Sequence, residues 1–271
     1  MADYFTLSLV PFLLITLVYY LIFTPTVSTI PATPEAYAKH MRELGSYTRM
    51  AIYLTVVICL QYVSNILYVS SLCKGNISGN IGATTLYTFL PWLFVFGAAA
   101  AALLSYPSLK TAFADVVGYF CVAGSAHQLL SAILLPKEGG EGVTPAAQQL
   151  VARIWGNTSL LINDFHPETF QAQWTALKPL MTADAQREES ELALKLFQIV
   201  QRKDAIGEAM WLAYTGVFAS SLVFYLLSTR KCVKDAATIK KEHDAYLASL
   251  PPPTADDNTT TLPVAPEPEP W

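Results

Sequence analysis

Charge is what this sequence is short of. Of its 271 residues, 14% are Asp, Glu, Lys or Arg, while 53% are apolar and the mean hydropathy is +0.36. Soluble domains carry about 25% charged residues, so the shortfall argues against an ordinary aqueous globule and favours the bilayer as solvent. Extended basic patches are missing too. With a net charge of -4 and no basic patch, the chain has no electrostatic footprint for nucleic acid. Cysteine is sparse: Cys59, Cys73, Cys121 and Cys232 lie far apart and form no CxxC pair. That spacing indicates neither a zinc site nor a disulfide framework, and the four read as small buried hydrophobes. Catalytic signatures are also absent. No GxSxG, Walker loop, glycine-rich dinucleotide turn or HExxH occurs, and His40, His127, His166 and His243 fall in separate segments. Asp164 and His166, near Glu168, read as turn and cap residues before Pro167 in preference to an acid–base pair. The residues call for no cofactor, no metal and no enzymatic activity.

Present instead are long apolar runs. The chain is organised around residues 91–119, PWLFVFGAAAAALLSYPSLKTAFADVVGY. The first arm belongs to a charge-free stretch from Gly75 to Leu109, longer than the roughly 20 residues needed to cross a bilayer. Tyr106-Pro107-Ser108-Leu109-Lys110-Thr111 supplies a corner and a cation. A loop so short predicts two antiparallel crossings, a hairpin. Gly97 and Ala98, Ala99, Ala100, Ala101 and Ala102 leave one part of the first arm almost free of side chains, which predicts a close-packing surface between helices.

The other runs predict further spans. Tyr4 to Phe23 reads as a retained anchor, because Asp3 and no cation precedes it. TPTVSTIPATPE then ends the helix, and Lys39, Arg42 and Arg49 follow on a short amphipathic piece. Tyr47 to Leu72 is the second span; Gln61 and Asn65, four apart, share a face and need partners on neighbouring helices. Thr84 to Ser105 is the third. The fourth opens at Asp115, whose place suits the helix dipole, and ends near Leu135, with His127 deeper inside.

From Pro136 to Ala205 the chain turns polar. Helices are expected from Thr144-Pro145 to Trp155, from His166-Pro167-Glu168 to Met181, and from Thr182 onward. In the last, Leu192, Leu196, Ile199, Val200 and Lys203 keep helical spacing, and no proline interrupts it before the apolar run Ala209 to Thr229. One long helix is therefore predicted, entering the membrane near Gly207 with Glu208 at the boundary. A basic cluster from Arg230 to Lys234, a helical piece to Leu250 and the tail PPPTADDNTTTLPVAPEPEPW complete the chain.

The expectation is an all-α, multi-pass transmembrane protein of about five spans with a small helical extramembrane insertion and a Pro-rich tail. Residues 1–46 form an anchor and linker, 47–135 a three-helix core, 136–206 the insertion, 207–229 the last span and 230–271 the basic segment and tail. Five spans place the C-terminus in the cytosol and the N-terminus across the membrane. The glycosylation sequons at Asn76 and Asn157 then face the lumen and that at Asn258 the cytosol.

Three groups of residues carry a family likeness. The first is Pro91-Trp92, Phe96-Gly97, Tyr106-Pro107, Phe113, Asp115 and Gly118-Tyr119. The second is Ser159 to Asp164 with Pro167-Glu168 and Phe170. The third is Lys195-Leu196-Phe197, Arg202-Lys203-Asp204, Glu208, Trp211, Thr215-Gly216 and Tyr225. In this order and spacing the chain resembles a membrane protein family of the large nucleocytoplasmic DNA viruses, the chlorella-virus and mimivirus-like groups. The likeness runs from about Thr84 to Leu227. It departs at Ser108-Leu109, where the family pattern has Gly-Trp, and at Asp115, where it has Asn.

The resemblance implies a protein of the virion's internal membrane, made in host endomembranes, below a capsid of jelly-roll proteins, with no known catalytic site. Its implied partners are the lipid bilayer, capsid or minor capsid proteins and other membrane proteins of the assembly. Trp271 is a candidate contact at the end of the tail. The expected work is structural, anchoring the shell to the membrane. A small transport or pore protein, with Asp115, His127 and Glu208 lining a polar path, is the alternative reading.

Overall fold

The computed structural model describes residues 2–22, 27–31, 33–44, 47–73, 76, 78–136, 144–187 and 190–249. The tail from 250, with Trp271 and Asn258, lies outside them. Helices account for nearly all of the regular structure; among the described residues the extended exception is an isolated bridge between Leu134 and Met181. We number the helices α1 (Ala2–Ile22), α2 (Pro34–Leu44), α3 (Tyr47–Leu72), α4 (Ile81–Ser105), α5 (Pro107–Ile133), α6 (Pro145–Gly156), α7 (Thr158–Asp164), α8 (Phe170–Leu177), α9 (Glu191–Ser228) and α10 (Ala236–Ser249).

Four of these, α3, α4, α5 and α9, are long and apolar enough to cross a membrane, and the apolar part of α1 runs from Ser8 to Tyr20. The multi-pass helical character is thus present. The long helix expected before the last apolar run is there too, 38 unbroken residues. At 1.5 Å per residue it is about 57 Å long, nearly twice the thickness of a bilayer's hydrocarbon core. It starts at the Ser190 cap and not at Thr182, because Thr182 is drawn aside: its N–H donates to the Ile133 carbonyl and its hydroxyl to that of Ala132.

Two hydrophobic cores stack along α9. One, the bundle core, joins Phe12 of α1, Tyr53 and Val57 of α3, Trp92 and Phe96 of α4, and Leu212, Ala219 and Val223 of α9. Polar side chains inside it are paired between helices. Gln61 and Ser8 bond each other's helices at 2.6 and 3.0 Å, Asn65 donates to Thr88 at 3.1 Å, and the Tyr53 and Thr16 hydroxyls meet at 2.7 Å. The four-residue spacing of Gln61 and Asn65 therefore serves two different neighbours. The outer face of the bundle is apolar, with Leu17, Ile52, Leu67, Phe94 and Phe218 all exposed, as a lipid-facing surface requires.

The other, the head core, joins Ala126, Leu130 and Ile133 of α5 to Val151, Ile162, Phe170 and Trp174 of the insertion and to Leu196, Phe197 and Val200 of α9. Tyr37 of α2 packs into it and its hydroxyl donates to the Pro167 carbonyl. Burial, with the Glu168 carboxylate second, raises the Tyr37 phenol above its ordinary value.

Three sequence expectations need correction. First, α4 and α5 are not an antiparallel hairpin. The corner is present: Tyr106 leaves the helical region at φ -131° and ψ 78°, and Pro107 starts a short 3-10 turn. Yet both helices run in one sense, antiparallel to α9. Asn80, just before α4, meets Arg230; Ala99 meets Trp211; Ala114 lies on Gly207 and Gly118 on Lys203. Farther along α5, Ser125, Gln128 and Ala132 share a groove with Lys195 and Gln198. The corner is a sideways jog, because α9 continues beyond the bundle as a template and keeps the chain going forward. Second, Cys73 and Cys232 are joined in a disulfide, with Cα atoms 5.5 Å apart. Their separation of 159 residues hid the pair. Cys59 and Cys121 are free and exposed in place of buried. Third, the alanine run is only partly a packing surface. Ala100 is buried, whereas Ala98 and Ala101 are exposed, and a Cβ on Gly97 would meet only the Trp92 carbonyl at 3.6 Å. The tight approaches lie elsewhere, at Gly118, Gly207 and Gly216.

Candidate functional site

Where the two cores meet, α9 carries three consecutive roles within six residues. Asp204 and Glu208, one helical turn apart, share a face and point at the corner. Lys203, next to Asp204, points to another side of the helix, toward α5 and α7. Each meets charge delivered by a different segment.

The 3-10 turn after Pro107 places Lys110, whose side chain is almost fully buried. Its ammonium lies 2.6 Å from Asp204 Oδ2 and 3.2 Å from Glu208 Oε2. Glu208 Oε1 also accepts from the Tyr20 hydroxyl at 2.7 Å, which ties the end of α1 to the same carboxylate. Lys203 is 0% exposed. Its Nζ donates to Asp115 Oδ1 at 2.9 Å and to the Ile162 carbonyl at 3.0 Å, and reaches the Asn163 carbonyl at 3.5 Å. Asn163 Nδ2 in turn donates to the Asp115 carbonyl at 3.1 Å. The carbonyls of Ile162 and Asn163 lie in the last turn of α7, where helix geometry leaves carbonyls without intrahelical partners. Lys203 supplies that partner and caps the helix with positive charge, which the macrodipole favours.

The arrangement is a joint of two ammonium groups and three carboxylates that bonds α9 to three other helices, α1, α5 and α7. Nearby bonds extend it: Gln198 donates to the Val27 carbonyl at 2.9 Å, and the Tyr119 and Thr158 hydroxyls meet at 3.2 Å. Buried charges are costly unless paired and hydrogen-bonded, and here each buried ammonium has at least one carboxylate within 3 Å. The chemistry of such a joint is mechanical. It fixes the head on the bundle.

Of the predicted polar residues, Asp115 and Glu208 enter the joint. His127 does not: it is exposed on α5 and sits edge-on to Trp155, ring centroids 5.9 Å apart. Sequence reasoning passed over Lys110, Asp204, Tyr20 and Asn163 as site residues. For Lys203 a signal existed, since it occupies a position in the apolar stripe of α9. The Asp164–His166 stretch serves as turn: Gln173 accepts from the His166 N–H and donates to the Asp164 carbonyl. Asn157 caps α7 by accepting from the Ser159 N–H at 3.2 Å, and Asn76 donates to the Val233 carbonyl at 2.8 Å beside the disulfide. No group of three or more His, Cys, Asp or Glu able to hold a metal occurs among the described residues.

Three segments far apart in the chain converge on this joint. Asp115 and Gly118 come from the first, Ile162 and Asn163 from the second, and Lys203, Asp204 and Glu208 from the third. No family model, curated protein or solved structure matches the chain.

Proposed function

We propose that this is a structural membrane protein of a large icosahedral virus, holding the capsid shell or minor capsid proteins to the internal virion membrane. The observation behind the reading is the joint: one unbroken helix passes from an apolar-faced bundle into a packed helical head, and buried ion pairs lock the two. An anchor needs that property, because a load on the head must reach the membrane bundle without a flexible linker. The viral resemblance adds to it, since its three scattered motifs meet at this place. In the proposal the head is the surface that meets the capsid. The transport reading has less behind it, because Asp115 and Glu208 are held in ion pairs and His127 stands apart on the head.

Amine-reactive cross-linking of intact purified particles tests the proposal. The expected result is cross-links from the exposed head lysine Lys195 to a capsid or minor capsid protein. Absence of the chain from purified particles, or cross-links confined to other membrane proteins, overturns it.

A further inference from the structure

The Cys73–Cys232 disulfide limits how many helices between its ends can cross the membrane. Both sulfurs must lie on one face, so the number of crossings between them is even. Three helices in that interval, α4, α5 and α9, are long and apolar enough to cross. One of them therefore does not. We infer that α5, Pro107–Ile133, is not a span but the central helix of the head, and that the disulfide marks the oxidising face of the membrane.

The outward side chains identify α5 as the exception. On α4 and on α9 beyond Gly207 the large exposed side chains are apolar or aromatic, Leu86, Leu90 and Phe94 on one and Tyr214, Phe218 and Tyr225 on the other, with Ser221 a small polar exception on α9. On α5 beyond Phe120 the exposed positions hold only small residues, Cys121, Gly124 and Ala132, besides the polar Ser125, His127, Gln128 and Ser131. These would sit in hydrocarbon without a reason if the helix crossed. The inward apolar residues of α5, Ala126, Leu130 and Ile133, are what raise its hydropathy, and they are spent on the head core. Its neighbour is the polar half of α9, where Lys195, Gln198 and Arg202 line a groove with it.

Two further contacts fix the same face. Asn80, before α4, accepts from the Val233 N–H at 3.0 Å, and its carbonyl accepts from Arg230 at 3.3 Å. The exit of α9 is thus bonded to the entrance of α4 as well as to the end of α3. α1 runs beside these helices from Ser8, near Gln61, to Tyr20, at Glu208, so its start lies on the disulfide face. Four crossings result, α1, α3, α4 and α9, with the start of α1 and the end of α9 on one side and the head on the other. Disulfides form and persist in oxidising compartments. There the two thiols lose two protons and two electrons to the disulfide of a thiol–disulfide oxidoreductase, which becomes a dithiol. The disulfide face is therefore lumenal and the head cytosolic, the reverse of the C-terminal orientation that five spans imply.

Full-length protein in sealed microsomes tests this, in a Cys59→Ala, Cys121→Ala background carrying either Ala183→Cys on the head or Ala248→Cys on α10, both exposed positions. A membrane-impermeant maleimide added outside should label Ala183→Cys and leave Ala248→Cys unlabelled until the vesicles are permeabilised. In the unmodified chain, denatured without reductant, two of the four cysteines should alkylate, and all four after reduction. Labelling of both reporters from the same side, labelling of Ala248→Cys alone from outside, or four alkylated cysteines without reductant each overturns the inference. None of these readouts depends on the presence of a capsid, so failure here and failure of the viral reading are distinguishable.

Discussion

Lys203 is the residue on which most of the joint depends. It sits in the apolar stripe of α9 with no exposed surface, and its ammonium is matched by one carboxylate and by the carbonyls that end α7. Removing one member of a buried pair strands the others, at a cost of about 3–5 kcal/mol. Asp115 retains partial exposure, its side chain 32% accessible, which places the effect at the lower end. Lys203→Met keeps the stem's packing and deletes only the charge. We expect it to destabilise the detergent-solubilised protein by about 3 kcal/mol, read as a lower midpoint in thermal denaturation. A midpoint equal to that of the unmodified protein would show that the charge is not structural. Lys110 has a different environment, shared between two carboxylates of one helix face, so its role is to hold the corner against α9.

At the scale of elements, the close contact of α5 and α9 positions everything above the bundle. It is made by two glycines set against backbone. A Cβ on Gly118 would lie 2.4 Å from the Lys203 carbonyl oxygen, and one on Gly207 would lie 2.6 Å from Ala114 Cβ and 2.8 Å from Ala114 Cα. Neither obstacle is a side chain that can swing away, so the helices themselves must part. Gly207→Ala should cost about 1–3 kcal/mol by overpacking, despite alanine's better helix propensity, and the loss should appear as a lower thermal midpoint with helical content unchanged. The corresponding change at Gly97, which faces only a carbonyl at 3.6 Å, should be near neutral. A close-packing surface is thus decided by what lies opposite. A run of small residues such as Ala98 to Ala102 shows where one is possible.

For the molecule as a whole, α9 is the axis and its two ends are secured by different means. The head end is held by ion pairs and a packed aromatic core, in which Phe170 meets Phe197 with centroids 5.1 Å apart. The far end is held by the disulfide. Closing a loop of 159 residues reduces the freedom of the unfolded chain. A bilayer already restricts the unfolded state, so Cys232→Ser should cost about 2 kcal/mol, the low end of the usual range. Reductant should lower the thermal midpoint of the unmodified protein by a similar amount and leave Cys232→Ser unmoved; equal sensitivity of both would show that the bond contributes nothing.

By itself the sequence determined the helical class, the bounds of the helix from Tyr47 to Leu72 and the unbroken final helix. Tyr47 to Leu72 matches its expected bounds, Pro145–Gly156 starts at the anticipated Thr144 cap, and α9 is continuous. These features are local: hydropathy over one helix length, a cap next to its helix, the absence of an interrupting proline. Only tertiary structure decided the direction taken after Pro107, the partners of Lys203 and the pairing of Cys73. Each depends on groups far apart in the chain, 88 residues for Lys203 and Asp115 and 159 for the two cysteines. A corner motif specifies that the chain bends. The depth of α9 and the glycines along it specify where the chain goes next.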